Sequence, residues 1–162
     1  MVKYHPMPQP DEISGREKED AMGAYLMMFA SVAIGLPLPI INLVAAIVYY
    51  YVNRSDSKFV NYHALHSLYA QIPTSILNGI AVIWVARTFI LFDATFDQYL
   101  KGYLVMVAAA NLLYFIFSII AAMKARKGYF YYFVFFGKLA YHQVFQVRED
   151  KEKGVINKPP TI

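Results

Sequence analysis

Charge is almost absent from the middle of this chain. Three runs contain no Asp, Glu, Lys or Arg: residues 21–53 (33 long), 59–86 (28 long) and 102–123 (22 long). Each exceeds the roughly 18–20 apolar residues that cross the hydrocarbon core of a bilayer. Of the 26 charges, eight lie in residues 1–20 and seven in 148–162, leaving eleven for the 127 residues between. Soluble domains carry roughly a quarter charged residues, whereas here 16% are charged and 58% hydrophobic. The chain is therefore predicted to be a small all-α integral membrane protein. Its length of 162 residues, sparse charge and lack of cysteine argue against a large multidomain enzyme, a disordered tail and a disulfide-stapled module.

Residues 102–123, apolar on every side and bracketed by Lys101 and Lys124, predict one full span. Residues 61–91 open with His63, His66 and Gln71 and turn thoroughly apolar only after Pro73. This second span is expected to start at the interface and cross, with Arg87 snorkelling on the far side. In the first run, Pro37 and Pro39 disfavour one straight helix. A single kinked span and a hairpin of two short helices, 22–35 and 40–52, are the alternatives. Positive charge favours the hairpin, which gathers thirteen cations on one side against Arg87 and Lys101; the single span gives ten against five.

The expectation is thus four apolar segments, both termini cytoplasmic and the loop from Phe92 to Tyr99 outside. A single membrane domain over 21–141 lies between polar tails at 1–20 and 142–162. The first 20 residues hold three prolines and five acids, so the first apolar segment is expected to act as an uncleaved insertion signal. Residues 129–141 are dense in Tyr and Phe and broken by Gly137 and Lys138, which predicts a segment lying along the interface.

No phosphate-binding loop, dinucleotide fingerprint, zinc-protease helix or nucleophile elbow is present. No catalytic residue, cofactor or metal site is predicted, and the chain is expected not to be an enzyme. The carboxylates Asp93 and Asp97 read as turn and helix-cap residues. His63 and His66, three apart, share a helix face and with His142 or Asp56 form the weak metal candidates; their spacing specifies neither a closed zinc site nor opposed haem ligands. The pI near 9.2 reflects cations flanking apolar spans, so no nucleic-acid partner is expected. Lys124, Arg126 and Lys127 are candidates for lipid headgroups.

Asn42, Gln71, Asn78 and Asn111 are uncharged polar groups in or near apolar spans, where lipid offers them no partner. They are expected to face protein, as helix-packing residues or as the lining of a polar pathway. Ser31 with Gly35, and Ser118 with Ala122, provide small-residue faces for close helix approach.

The stretch SDSKFVNYHALHSLYAQI at 55–72 resembles the loop-to-helix signature of a widespread family of small bacterial membrane proteins, a domain of unknown function. SIIAAMKARKGYFYYF at 118–133 is similar to that family's closing segment, and the resemblance covers roughly residues 20–140. Ser57, Phe59, His63, Gln71, Lys124 and Gly128 carry the match. Tyr69 stands where the family often has Asn, and the usual Arg and Pro of the closing segment are absent from Tyr132, Phe133 and Val134. The family is distantly similar to the small four-helix subunit of the chloroplast inner-envelope protein translocon, which implies both termini on one side. The resulting expectation is a non-catalytic accessory subunit of a larger membrane assembly in the bacterial inner membrane, concerned with translocation or envelope biogenesis. Its partners would be other integral membrane proteins or further copies of itself, and lipid. The alternative is a homo-oligomeric transporter or channel lined by Asn42, Asn78 and Asn111.

Overall fold

In a computed structural model, residues 4–30, 39–54, 57–92, 95–133 and 135–147 are described. They contain five α-helices: α1, Gly15–Leu26; α2, Pro39–Val52; α3, Lys58–Phe89; α4, Gln98–Arg126; and α5, Phe136–Phe145. A 3₁₀ turn at Met27–Phe29 continues α1. The Pro37 break and the Ser31–Gly35 pair lie outside the described residues.

α3 and α4 have the length and apolarity to cross a membrane. At 1.5 Å per residue their 32 and 29 residues reach about 48 and 44 Å, past the hydrocarbon core and into the headgroups. Their exposed faces are largely apolar, as in the stripe Ile72, Ile76, Ile80 and Ile83. The 14 described residues of α2 reach about 21 Å. Two of the four expected segments therefore have the dimensions of spans.

Helix boundaries depart from the sequence expectation at both ends of the chain. α1 starts at Gly15 rather than 22, because Ser14 and Glu17 form a reciprocal capping box: the Ser14 hydroxyl accepts from the Glu17 N–H, and the Glu17 carboxylate accepts from the Ser14 N–H. The expected polar tail thus contains the charged first turns of a helix. α5 runs to Phe145, past the limit expected at 141, because Ala140 and Phe145 are wholly buried against Tyr62 and Leu65 of α3. Pro73 sits inside α3, where it removes the donor for the Tyr69 carbonyl; the helix continues through it, and the Thr74 hydroxyl donates to the Gln71 carbonyl at 2.9 Å.

The core gathers where the two described chain ends meet. Ala21 and Tyr25 of α1 pack with Phe59 of α3 and with Ala121, Ala122 and Ala125 of α4. Alanine and Ser118 on this face of α4 let α1 approach closely, where larger side chains would hold the backbones apart. Residues 4–14 form a strap across this end. The His5 N–H donates to the Phe145 carbonyl at 2.8 Å, and Tyr4 bridges to Gln146.

Candidate functional site

Two N-caps position the most unusual group of side chains. Ser57 caps α3 by accepting from the Val60 N–H, which sets Phe59, Tyr62, His63 and His66 in the first two and a half turns. The capping box at Ser14 starts α1 so that Tyr25 meets them. The Glu17 carboxylate also hydrogen-bonds Ser57, joining the two helix starts. These hydrogen bonds hold the Glu17 carboxyl below its ordinary value, Ser57 contributing most and Ser14 next.

The Tyr25 hydroxyl lies 2.9 Å from His63 Nδ1 and 2.7 Å from His66 Nδ1, and all three side chains are buried. A phenol has one proton and cannot donate it to both rings. Both contacts are satisfied with neutral rings when one Nδ1 accepts from the phenol and the other, as N–H, donates to it. The two imidazoles are then opposite tautomers, one presenting an N–H at Nε2 and the other a lone pair. Neither Nε2 has a partner among the described residues. The His63 ring is enclosed by Phe59, Tyr62 and Phe130, with centroids at 4.5, 5.2 and 5.8 Å. His66 instead helps to wall a cavity of about 280 Å3 between α3 and α4.

Other hydroxyls tie the same end together. Tyr62 donates to the Tyr131 carbonyl (2.9 Å), Ser67 to Ala24 (2.8 Å) and Tyr49 to Asp20 (2.7 Å). Sequence reasoning missed Tyr25; the Ser14-x-x-Glu17 capping pattern, which marks where α1 begins, is the signal that leads to it.

The metal candidates do not converge. His142 lies on α5, where its Nδ1 is 2.6 Å from the Tyr4 hydroxyl, while His63 and His66 turn inward to Tyr25. Among the described residues no three His, Cys, Asp or Glu side chains are placed to hold a metal ion. Asp56 and Asp93 lie outside the described residues. Asp97 caps α4 by accepting from the Leu100 N–H at 2.9 Å.

The amides divide. Asn78 and Asn111 bond reciprocally across α3 and α4, 2.9 Å in each direction, and their remaining N–H groups donate to the Thr74 carbonyl at 2.7 Å and the Val107 carbonyl at 2.9 Å. All four amide protons of the pair are used within the protein. Gln71 is buried, with its Oε1 unpartnered among the described residues. Asn42 lies on α2, away from this pair in the sequence and with interactions of its own.

Of the headgroup candidates, Arg126 is bound to Glu19 of α1 at 2.7 Å and Lys124 lies over the Tyr129 ring at 5.8 Å. Lys127 is the C-cap of α4. Gly128 follows at φ 81°, completing a Schellman closure in which its N–H donates to Ala125 and that of Tyr129 to Lys124. A Cβ at Gly128 would also come within 3.1 Å of the Pro10 backbone in the strap. The residues that carried the sequence resemblance, Ser57, Phe59, His63 and Gly128 among them, thus cap, pack and close one end of the bundle.

Two membrane-length helices and a short apolar partner define, among the described residues, a small helical membrane-associated protein. The chain belongs to the MamF/MmsF family, the magnetosome magnetite crystal formation protein family, which it matches over residues 17–139. No curated protein and no solved structure matches it. The expected small bacterial membrane family is thus found, without the translocon likeness that the sequence suggested. The match takes in Tyr25, His63, His66 and the asparagine pair, and leaves out the Tyr4–His142 contact.

Proposed function

We propose that the chain is a non-catalytic accessory protein of a membrane assembly that forms magnetite crystals, and that it acts by docking other integral membrane proteins. The crystal-formation context comes from the family; the docking role is carried by the saturated Asn78–Asn111 pair. Two of its amide protons join α3 to α4 and the other two bond carbonyls of their own helices, so the pair supports packing over transport. The outward faces of both helices are largely apolar and available to lipid or to another helix. Both termini are assigned to the cytoplasm of a bacterial cell from the bias of positive charge.

The test is tagged purification from native membranes in a mild detergent, with native mass and identification of whatever co-elutes. A stoichiometric foreign membrane protein is expected. Recovery of the chain alone, with solute uptake in liposomes that is lost on replacing Asn78 and Asn111 by Leu, would overturn the reading in favour of a transporter. Orientation is tested separately: a His5→Cys variant is expected to resist an impermeant thiol reagent in intact cells, and its labelling would place the N-terminus outside.

A further inference from the structure

We propose that the cavity between α3 and α4 is a groove for one acyl chain of an anionic phospholipid, drawn from the leaflet on the side where the described chain ends meet. The inference is independent of the docking role, and it starts from how the groove is made. Ala70 and Pro73 on α3 and Ala110 and Ala121 on α4 line it, and these short side chains leave about 280 Å3 unfilled. Almost no polar atom reaches its surface. The Thr74 hydroxyl is spent on the Gln71 carbonyl, the Tyr114 hydroxyl meets Ser118, and the Tyr25 hydroxyl is held by two imidazoles. Water finds no partners in such a space, and a ligand with polar groups would lose its own on entering.

Length, width and opening identify the occupant. From His66 to Leu77 the groove follows α3 for about 16 Å, the depth of one leaflet of a hydrocarbon core about 30 Å thick. It stops where the Asn78–Asn111 pair ties the two helices together. The volume over that length gives a cross-section of about 18 Å2, room for a single alkyl chain and far too narrow for a helix roughly 10–12 Å across. Leu113 is 55% exposed and Pro73 is exposed too, so the groove opens sideways from two membrane-length helices, where the surrounding medium is hydrocarbon. A chain lying in it meets protein on several sides, whereas one on the outer face of a helix meets it on one, and the added dispersion contacts favour retention.

Cations at the shallow end select the headgroup. Lys124 stands seven residues past Phe117, which lies seven past Ala110, so the three fall on one line along α4. Phe117 and Ala110 line the groove, and Lys124 is exposed about 10 Å beyond Phe117, at the depth of the headgroups. Lys138, two residues past Phe136 of the lining, is exposed on α5. Two ammonium groups favour a phosphate that carries no cation of its own, as in phosphatidylglycerol, over the zwitterionic head of phosphatidylcholine.

The test places the full chain in nanodiscs of equal phosphatidylglycerol and phosphatidylcholine, moves it into a mild detergent and counts the retained lipids by native mass spectrometry. One phosphatidylglycerol per chain is expected, favoured over phosphatidylcholine by at least about threefold. Ala70→Leu and Ala110→Leu, which fill the groove, should each cut retention about tenfold without lowering the melting temperature. Lys124→Gln combined with Lys138→Gln should leave the two lipids equally retained. A wild type that keeps no lipid, or keeps both lipids equally, overturns the proposal, as does lipid that stays bound in both filled variants. So does ready disulfide dimerisation of Leu113→Cys, in a chain with no other cysteine, which would give the groove to a second copy.

Discussion

Where the described ends of the chain meet, Tyr25, Tyr49, Tyr62 and Ser67 reach across helices and bond to specific atoms on their neighbours. Beyond Leu77 the contacts between side chains include the asparagine pair, the Tyr103 hydroxyl on the Leu77 carbonyl at 2.9 Å and the Trp84–Tyr103 ring pair. There Ile83, Ile90, Leu91 and Phe92 stand exposed, Phe92 being 83% accessible. One region is specified by directional contacts between buried groups, the other by its fit to an apolar solvent. A bilayer satisfies aliphatic surface without protein contacts, so a membrane helix needs internal partners chiefly where polar groups or chain ends must be enclosed.

This contrast predicts graded effects. Tyr25→Phe should have the largest: both Nδ1 atoms lose their common partner inside a closed cluster, at a cost of about 2–4 kcal/mol in denaturant unfolding from mild detergent. An effect under about 0.5 kcal/mol would mean that the cluster is looser or wetter than its burial implies. Gly128→Ala should cost about 1–3 kcal/mol, since φ 81° disfavours a side chain and the new Cβ meets the Pro10 backbone. It should also speed proteolysis of the strap, a change the far end of the bundle would not share. In a double-mutant cycle, Asn78→Leu and Asn111→Leu should couple by about 0.6 kcal/mol, and by no more than about 1.7, as polar contacts between membrane helices do.

The smallest effect is electrostatic. Hydrogen bonds from Ser57 and Ser14 lower the folded carboxyl pKa of Glu17 below 4.5, so its contribution is fully present above that value and is lost as pH falls through the folded value. The melting temperature of the wild type should therefore drop more between pH 6 and pH 3 than that of Glu17→Gln, and parallel curves would remove Glu17 from the account.

The same contrast explains what could be read from the residues alone. Uncharged runs marked α3 and α4 because a span is a property of local composition, and the boundaries shifted only by the turns that reach into the headgroups. Asn78 and Asn111 were recognisable as polar groups needing a partner, though not as each other's partner. Tyr25 was not legible, since its role depends on two imidazoles about 40 residues away and on α1 beginning at a capping box. Nor could spacing show that the weak metal candidate His142 lies apart from His63 and His66. Spacing puts the first two on one face, but only the packing of α5 shows that the third turns to Tyr4.

The strap also sets an order of events. His5 bonds to Phe145 and Tyr4 to His142, residues 138 apart in the chain. A ribosome adding roughly 5–20 residues each second needs about 7–28 s to cover that interval. Through that time the strap has no complement, and the helices before α5 are made before this contact exists. This pairing therefore waits on α5, and a chain cut short before His142 would leave Tyr4 and His5 without these partners.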